Sequence, residues 1–159
     1  MKILIVSDTH RQNENYLQVV KYCIPLDLVI HCGDIEGSEA VITGAVTCPV
    51  KMVTGNNDFF SNLPREEEFM LGKYHIWLTH GHNYYVSMDN QVLKTEARAK
   101  GMDIVMYGHS HRPVVDYDDG IIAVNPGSLT YPRQEGRRPS YIIMEIDQTG
   151  EAHFTINYL

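Results

Sequence analysis

The chain has 159 residues, 43% hydrophobic and 21% charged, a composition that excludes a disordered or fibrous protein and predicts a single globular domain spanning 1–159. At this length roughly two-thirds of the unfolded surface is buried on folding, so a core forms without disulfides or a structural metal. Thirteen Lys and Arg against twenty Asp and Glu leave a net charge of −7, which argues against extended nucleic-acid binding.

In chain order, Lys2–Ser7 is an unbroken apolar run, the pattern of a strand covered on both faces. Residues 13–24 place Tyr16, Val20, Cys23 and Ile24 on one helical stripe that Pro25 ends. Asp27–Cys32 predicts a second buried strand, Ser38 caps a short apolar helix to about Val46, and Val50–Thr54 predicts a third strand. This β-α-β-α-β order implies a parallel sheet with right-handed crossovers. Glu67–Leu71 and Tyr74–Thr79 predict a hairpin turning at Leu71-Gly72-Lys73. An amphipathic helix over 89–100 and a buried strand at Asp103–Tyr107 follow. From Val114 on, the pattern is strand and turn: Val114–Tyr117, Ile121–Asn125, Tyr141–Ile146 and His153–Tyr158, with turns at Asp118-Asp119-Gly120 and Gly150. An α/β first half feeding an antiparallel second half predicts two packed sheets with helices outside.

Cys23, Cys32 and Cys48 are odd in number and lack CxxC spacing. They exclude a disulfide framework and a Cys-rich zinc module, and predict a reducing, cytoplasmic setting. The opening MKILIVSD is too short for a secretory signal, and no window approaches the roughly eighteen apolar residues of a membrane span. Of eight histidines, five fall in short clusters with Gly or Asp.

Those clusters belong to five motifs, each directly after a strand: Asp8-Thr9-His10, Gly33-Asp34, Gly55-Asn56-Asn57-Asp58, His80-Gly81-His82 and Gly108-His109-Ser110-His111. Loops after parallel strands converge on one sheet edge, where open α/β folds bind ligands. Carboxylate, imidazole and amide oxygen form a donor set suited to Mn, Fe, Zn, Ni or Co, with no thiolate. Asp8, His10, Asp34, Asn56, His80, His109 and His111 make seven candidate ligands. One ion cannot use all seven, whereas two ions sharing a carboxylate can, which points to a dinuclear centre. Asn56 competes with a plain turn role, since Asn tolerates left-handed backbone. His80 and His82 compete for one ligand position. Asp58 is expected to hold its loop by hydrogen bonding, and His31, His75 and His153 sit in strand patterns as structural or exposed residues.

In this order and at these spacings, DTH, GD, GNND, HGH and GHSH resemble the calcineurin-like metallophosphoesterase superfamily. The short length and the Asn125-Pro126-Gly127-Ser128 turn resemble its small YfcE-like phosphodiesterase branch. The likeness covers nearly the whole chain. It implies an α/β fold, a four-layer α/β/β/α sandwich of two mixed β-sheets flanked by helices. By motif position it implies one metal held by Asp8, His10, Asp34 and His111, and a second held by Asp34 as bridge, Asn56, His80 and His109. His80 takes the ligand place, leaving His82 behind the ligands, facing substrate, or as a plain loop residue. The implied cofactor is two divalent transition-metal ions, Mn first. The implied activity is phosphoesterase, more specifically phosphodiesterase, using a metal-bridging hydroxide for in-line attack. Asp34, Asn56 and His82 are the candidate catalytic residues and a small phosphate ester is the expected substrate.

One departure stands out. Many members carry GNH where this chain has Asn57, which has no proton to give near neutral pH, so efficient cleavage of alkyl monoesters is not expected. The loop Tyr131–Arg138 raises a further question, since Arg133 suits phosphate while such a loop can equally be a solvated surface. Two other function classes fit the same fold: a protein-interaction scaffold, as in the retromer subunit of the family, and a nuclease. The intact donor set favours the enzyme over the scaffold, and the lack of a basic run disfavours the nuclease. A homo-oligomer is compatible with the sequence.

Overall fold

The apolar runs of residues 1–159 form ten strands and three α-helices in a computed structural model. The first half is β1 (Lys2–Val6), α1 (Glu14–Cys23), β2 (Leu28–His31), α2 (Glu39–Gly44) and β3 (Val50–Met52). β1 pairs with β2 and β2 with β3, both in parallel, so the β-α-β-α-β reading holds. The remainder is β4 (Glu66–Leu71), β5 (Tyr74–Thr79), a 3-10 turn at His82–Tyr84, α3 (Gln91–Ala99), β6 (Ile104–Met106), β7 (Pro113–Asp118), β8 (Ile121–Pro126), β9 (Ser140–Ile146) and β10 (Ala152–Tyr158).

The strands form two five-stranded sheets, ordered β10-β9-β1-β2-β3 and β4-β5-β6-β8-β7. The β4–β5, β7–β8 and β9–β10 hairpins are antiparallel as expected, but the second half is not antiparallel throughout. The α3 crossover returns the chain in its original direction, so β6 lies parallel to β5, and β7 runs back before β8, so β8 also lies parallel to β6. The β9–β10 hairpin leaves that sheet altogether, and β9 pairs antiparallel with β1. Ile142 and Met144 pack between the two sheets and Ile143 packs on the helix side, so β9 needs cover on both faces, and pairing with the free edge of β1 puts it where both layers exist.

Period-two alternation sorts the side chains into layers. Ile3 and Ile5 of β1, Ile76 and Leu78 of β5, and Ile104 and Met106 of β6 meet between the two sheets. Leu4 and Val6 point the other way, onto Tyr16, Val19, Val20 and Cys23 of α1 and Ile42 of α2. Trp77 and Val105 face outward onto Leu93 and Ala97 of α3. The result is helix, sheet, sheet, helix. Two local details differ from expectation. Val19 joins the buried stripe of α1 while Ile24 is 58% exposed, because the helix ends at Cys23. Ser38 occupies the N-cap of α2 without a side-chain capping hydrogen bond, and that helix stops at Gly44. No helix is long and apolar enough to cross a membrane.

Candidate metal centre

All five motif loops meet at one end of the sandwich, and backbone hydrogen bonds tie them together. Asp8 N–H donates to Gly33 O, His10 N–H to Asp34 O, and Gly108 N–H to His80 O. Close approach demands glycine at two of these junctions. A side chain at Gly55 would overlap Asp34 Oδ1, and one at Gly108 would overlap Ser7 Oγ. Five of the seven candidate ligands, Asp8, His10, Asp34, His109 and His111, hold left-handed backbone with φ of 54°, 45°, 58°, 65° and 58°. Each such residue costs on the order of 1–2 kcal/mol, and strain of this kind clusters where side chains must be aimed.

The aim is inward. His10 Nδ1 lies 2.7 Å from Glu36 Oε1, His80 Nδ1 lies 2.7 Å from Cys32 O, and His111 Nδ1 lies 2.6 Å from Tyr131 O. An acceptor at Nδ1 fixes a proton there, so it is Nε2 that carries the lone pair once the ring is neutral. The three Nε2 atoms face the two buried carboxylates. His111 Nε2 is 3.1 Å from Asp8 Oδ1, His80 Nε2 is 3.5 Å from Asp34 Oδ2, and His10 Nε2 is 3.8 Å from each of those oxygens. Asp8 Oδ1 is buried, and despite its closeness to His111 it accepts no well-aligned hydrogen bond. Asn56 Oδ1 sits 3.1 Å from His80 Nε2.

Two donor groups result, Asp8–His10–His111 and Asp8–Asp34–His80, each with its ligand atoms within 4.8 Å of one another. They share Asp8, while Asp34 Oδ2 faces both His10 and His80, so both carboxylates lie between the two sides. His109 is in neither group, although its ring centroid is 5.2 Å from that of His80 and its N–H donates to Asp8 Oδ2. His82 is half-buried beyond them, 5.4 Å from His80 and 6.1 Å from His109 between ring centroids. Geometry therefore turns His80, not His82, toward the carboxylates.

Electrostatics follow from the crowding of two acids among imidazoles. Burial opposes ionisation of Asp8, but the nearby His111 and His80 hold it below the ordinary carboxylate range. Burial likewise opposes ionisation of Asp34, and His80 and hydrogen bonds from Asn57 hold it below the ordinary carboxylate range. Burial would depress His80, yet Asp34 and Asp8 raise it to about 8. Burial and the adjacent His80 lower His109 to about 4 and also lower His82.

Asp58 behaves as expected, accepting N–H bonds from Asp34, Ile35, Glu36 and Gly55 at 2.5–2.9 Å. His31 is buried and structural, and His153 is exposed beside Asp147. Glu36 and the Tyr131 carbonyl, which orient His10 and His111, were not found from sequence; Glu36 sits two residues after Asp34, but a backbone carbonyl has no sequence signature.

Residues 1–149 match the family model of the calcineurin-like phosphoesterase superfamily domain. The chain belongs to this superfamily. A probable metallophosphoesterase of Mycoplasma genitalium is 32% identical over 163 residues, covering 99% of this chain and 95% of the relative. A phosphodiesterase of Methanocaldococcus jannaschii is 28% identical over 145 residues, covering 80% of this chain and 83% of the relative. Among solved structures, a predicted phosphoesterase of Streptococcus pneumoniae superposes with a TM-score of 0.82 at 29% identity, covering 99% and 88% of the two chains. A single mutant of Vps29 from Entamoeba histolytica has the same fold as this chain, with a TM-score of 0.80 at 23% identity and 100% and 99% coverage.

Proposed function

We propose that this chain is a metal-dependent phosphodiesterase working with two divalent transition-metal ions, Mn first among Mn, Fe, Zn, Ni and Co. The observation that carries the reading is the set of three imidazoles anchored at Nδ1 whose Nε2 atoms converge on two buried carboxylates. This donor set fits such ions: it is all nitrogen and oxygen, its imidazoles are held in the ligating tautomer, and Asp8 Oδ1 is buried without a well-aligned hydrogen bond. Asp8, His10 and His111 would hold one ion, Asn56, His80 and His109 the other, with Asp34 between them. When bound, divalent cations polarise phosphoryl oxygens and activate water as a nucleophile.

The chain's own residues do the rest. Asp34, ionised across the working pH range, keeps its charge between the two sides while Asn57 fixes its carboxylate. Asn56 offers its amide oxygen beside His80 Nε2. His82 is the remaining group that could assist a departing oxygen, but burial and the neighbouring His80 lower its pKa, so its proton-donating form is scarce near pH 7, and the Asn57 amide has no proton to give. A site with weak acid assistance suits diesters with acidic leaving groups better than alkyl monoesters. The phosphodiesterase of Methanocaldococcus jannaschii supports the same choice, and the intact donor set supports an enzyme over a scaffold of Vps29 type. A small ester is the proposed substrate and the cytoplasm the proposed setting of what we take to be one domain.

The test is metal content alongside turnover of bis(p-nitrophenyl) phosphate and p-nitrophenyl phosphate. Two ions per chain and preference for the diester are expected, with Asp34→Ala losing both ions and activity. Two stoichiometric ions retained in Asp34→Ala would overturn the shared-carboxylate assignment.

A further inference from the structure

Beside the His10–His111 side of the centre lies a cavity of about 650 Å³, lined by Arg112, Thr130, Tyr131, Pro132, Arg133 and Arg137. Three of the seven arginines in the chain thus line one space. None of the three is ion-paired; the arginine ion pair of this protein joins Arg98 of α3 to Asp118 of β7. Twenty carboxylates were available to an acidic chain, and not one lines this cavity. Three unneutralised guanidiniums around one opening create a local positive potential inside an overall negative surface.

The wall of the cavity is bonded to the centre. Tyr131 O accepts from His111 Nδ1 at 2.6 Å, Arg133 N–H donates to His111 O at 3.0 Å, and Arg112 follows His111 directly. The Tyr131 ring lies 5.2 Å from the His10 ring. The loop carrying the arginines is shaped in advance: Arg137 N–H donates to Gln134 O at 3.1 Å, and Arg138 Nε donates to Leu159 O at 3.1 Å. Arg137 itself sits at φ 44°, a left-handed conformation whose cost side-chain placement can repay.

We propose that this cavity is an anion pocket for a second phosphoryl group of the substrate, one that is bound and not cleaved, with Arg133, Arg137 and Arg112 as its specificity-determining residues. Guanidinium forks match tetrahedral oxyanions bidentately, and a dianionic phosphate meets three of them better than a singly charged carboxylate does. The substrate class is then a phosphodiester whose retained alcohol carries a phosphate, as in a nucleoside bisphosphate ester. The proposal rests on the phosphodiesterase reading and deepens it.

Two p-nitrophenyl esters of thymidine 5′-phosphate test it, one with a 3′-phosphate and one with a free 3′-hydroxyl. Wild type should show a kcat/KM about tenfold or more higher for the 3′-phosphorylated ester, expressed mainly in KM, the size expected for charge-assisted hydrogen bonds. Arg133→Gln and Arg137→Gln should each remove most of that preference while leaving the unphosphorylated ester unchanged. A wild-type ratio near one, or a ratio that survives both substitutions, overturns the proposal. A second readout needs no turnover: metal-free protein titrated with inorganic pyrophosphate by calorimetry. The Arg133→Gln/Arg137→Gln variant should bind about tenfold more weakly than wild type, and equal affinity overturns the pocket. If neither ester is hydrolysed but pyrophosphate binding depends on the arginines, the anion pocket stands and the phosphodiesterase reading falls.

Discussion

Asn57 occupies a place where a proton donor would be useful, yet both of its nitrogens donate to Asp34 instead. Its backbone N–H donates to Asp34 Oδ1 at 2.9 Å and its Nδ2 donates to Asp34 Oδ2 at 2.7 Å. Asn57 is therefore a positioning residue for Asp34. Groups that orient a ligand typically matter about 10–100-fold in metal affinity, so Asn57→Ala should weaken cation binding by at least the lower of these. Because no proton passes through the amide, the dependence of kcat/KM on leaving-group pKa should keep its slope in that variant. Calorimetric metal titration and a graded series of aryl diesters check both halves. A steeper slope in Asn57→Ala would show that this residue assists the leaving oxygen after all. Asn57→His likewise removes the amide bond to Asp34 before it adds any acid.

At the scale of elements, the site is a set of loops whose backbones are fastened to each other, and Asp58 is the main fastener. Its carboxylate accepts N–H bonds from Asp34, Ile35 and Glu36 after β2 and from Gly55 after β3. Asp58→Ala orphans all four donors, and water can replace only part of what is lost. An unfolding free energy lower by about 2–4 kcal/mol is expected for the metal-free protein, measured by urea titration with an unchanged m-value. A loss below 1 kcal/mol would mean that the loops hold their shape without it.

Much at this scale was legible in the sequence because periodicity and turn residues are local. The hairpin at Gly72, the amphipathic helix before β6 and the parallel order of β1, β2 and β3 were all recovered. What local signals could not give was the destination of β9 and β10. An apolar hairpin can extend any free edge, and the choice of β1 is made by long-range packing. Motif order likewise brought out the residues that converge on the centre, while the Cys32 and Tyr131 carbonyls that orient His80 and His111 left no trace in residue type.

For the molecule as a whole, the fully buried His31 links stability to pH. It lies at the end of β2, with no exposed surface. Gly33 N–H donates to its Nδ1 at 3.2 Å, so Nδ1 must be unprotonated, and Nε2–H is left to donate to Thr9 Oγ1 at 3.1 Å. Protonation would break the Gly33 bond and bury a charge. Burial accordingly lowers the His31 pKa from the ordinary 6.5 to about 4, with the charges of Asp8 and Asp58 opposing only in part. The sign follows from counting protons. Between pH 6.5 and about 4 the unfolded chain binds a proton at this position and the folded chain does not, so stability falls as pH falls through that window. The contribution is complete above pH 6.5, and its loss approaches roughly 3 kcal/mol at pH 4. His31→Asn keeps a donor and an acceptor but cannot titrate. Unfolding free energies of metal-free wild type and His31→Asn, measured across pH 7.5 to 4, should converge as pH falls, because only wild type carries this slope. Parallel curves would show that His31 takes up its proton in the folded chain as readily as in the unfolded one.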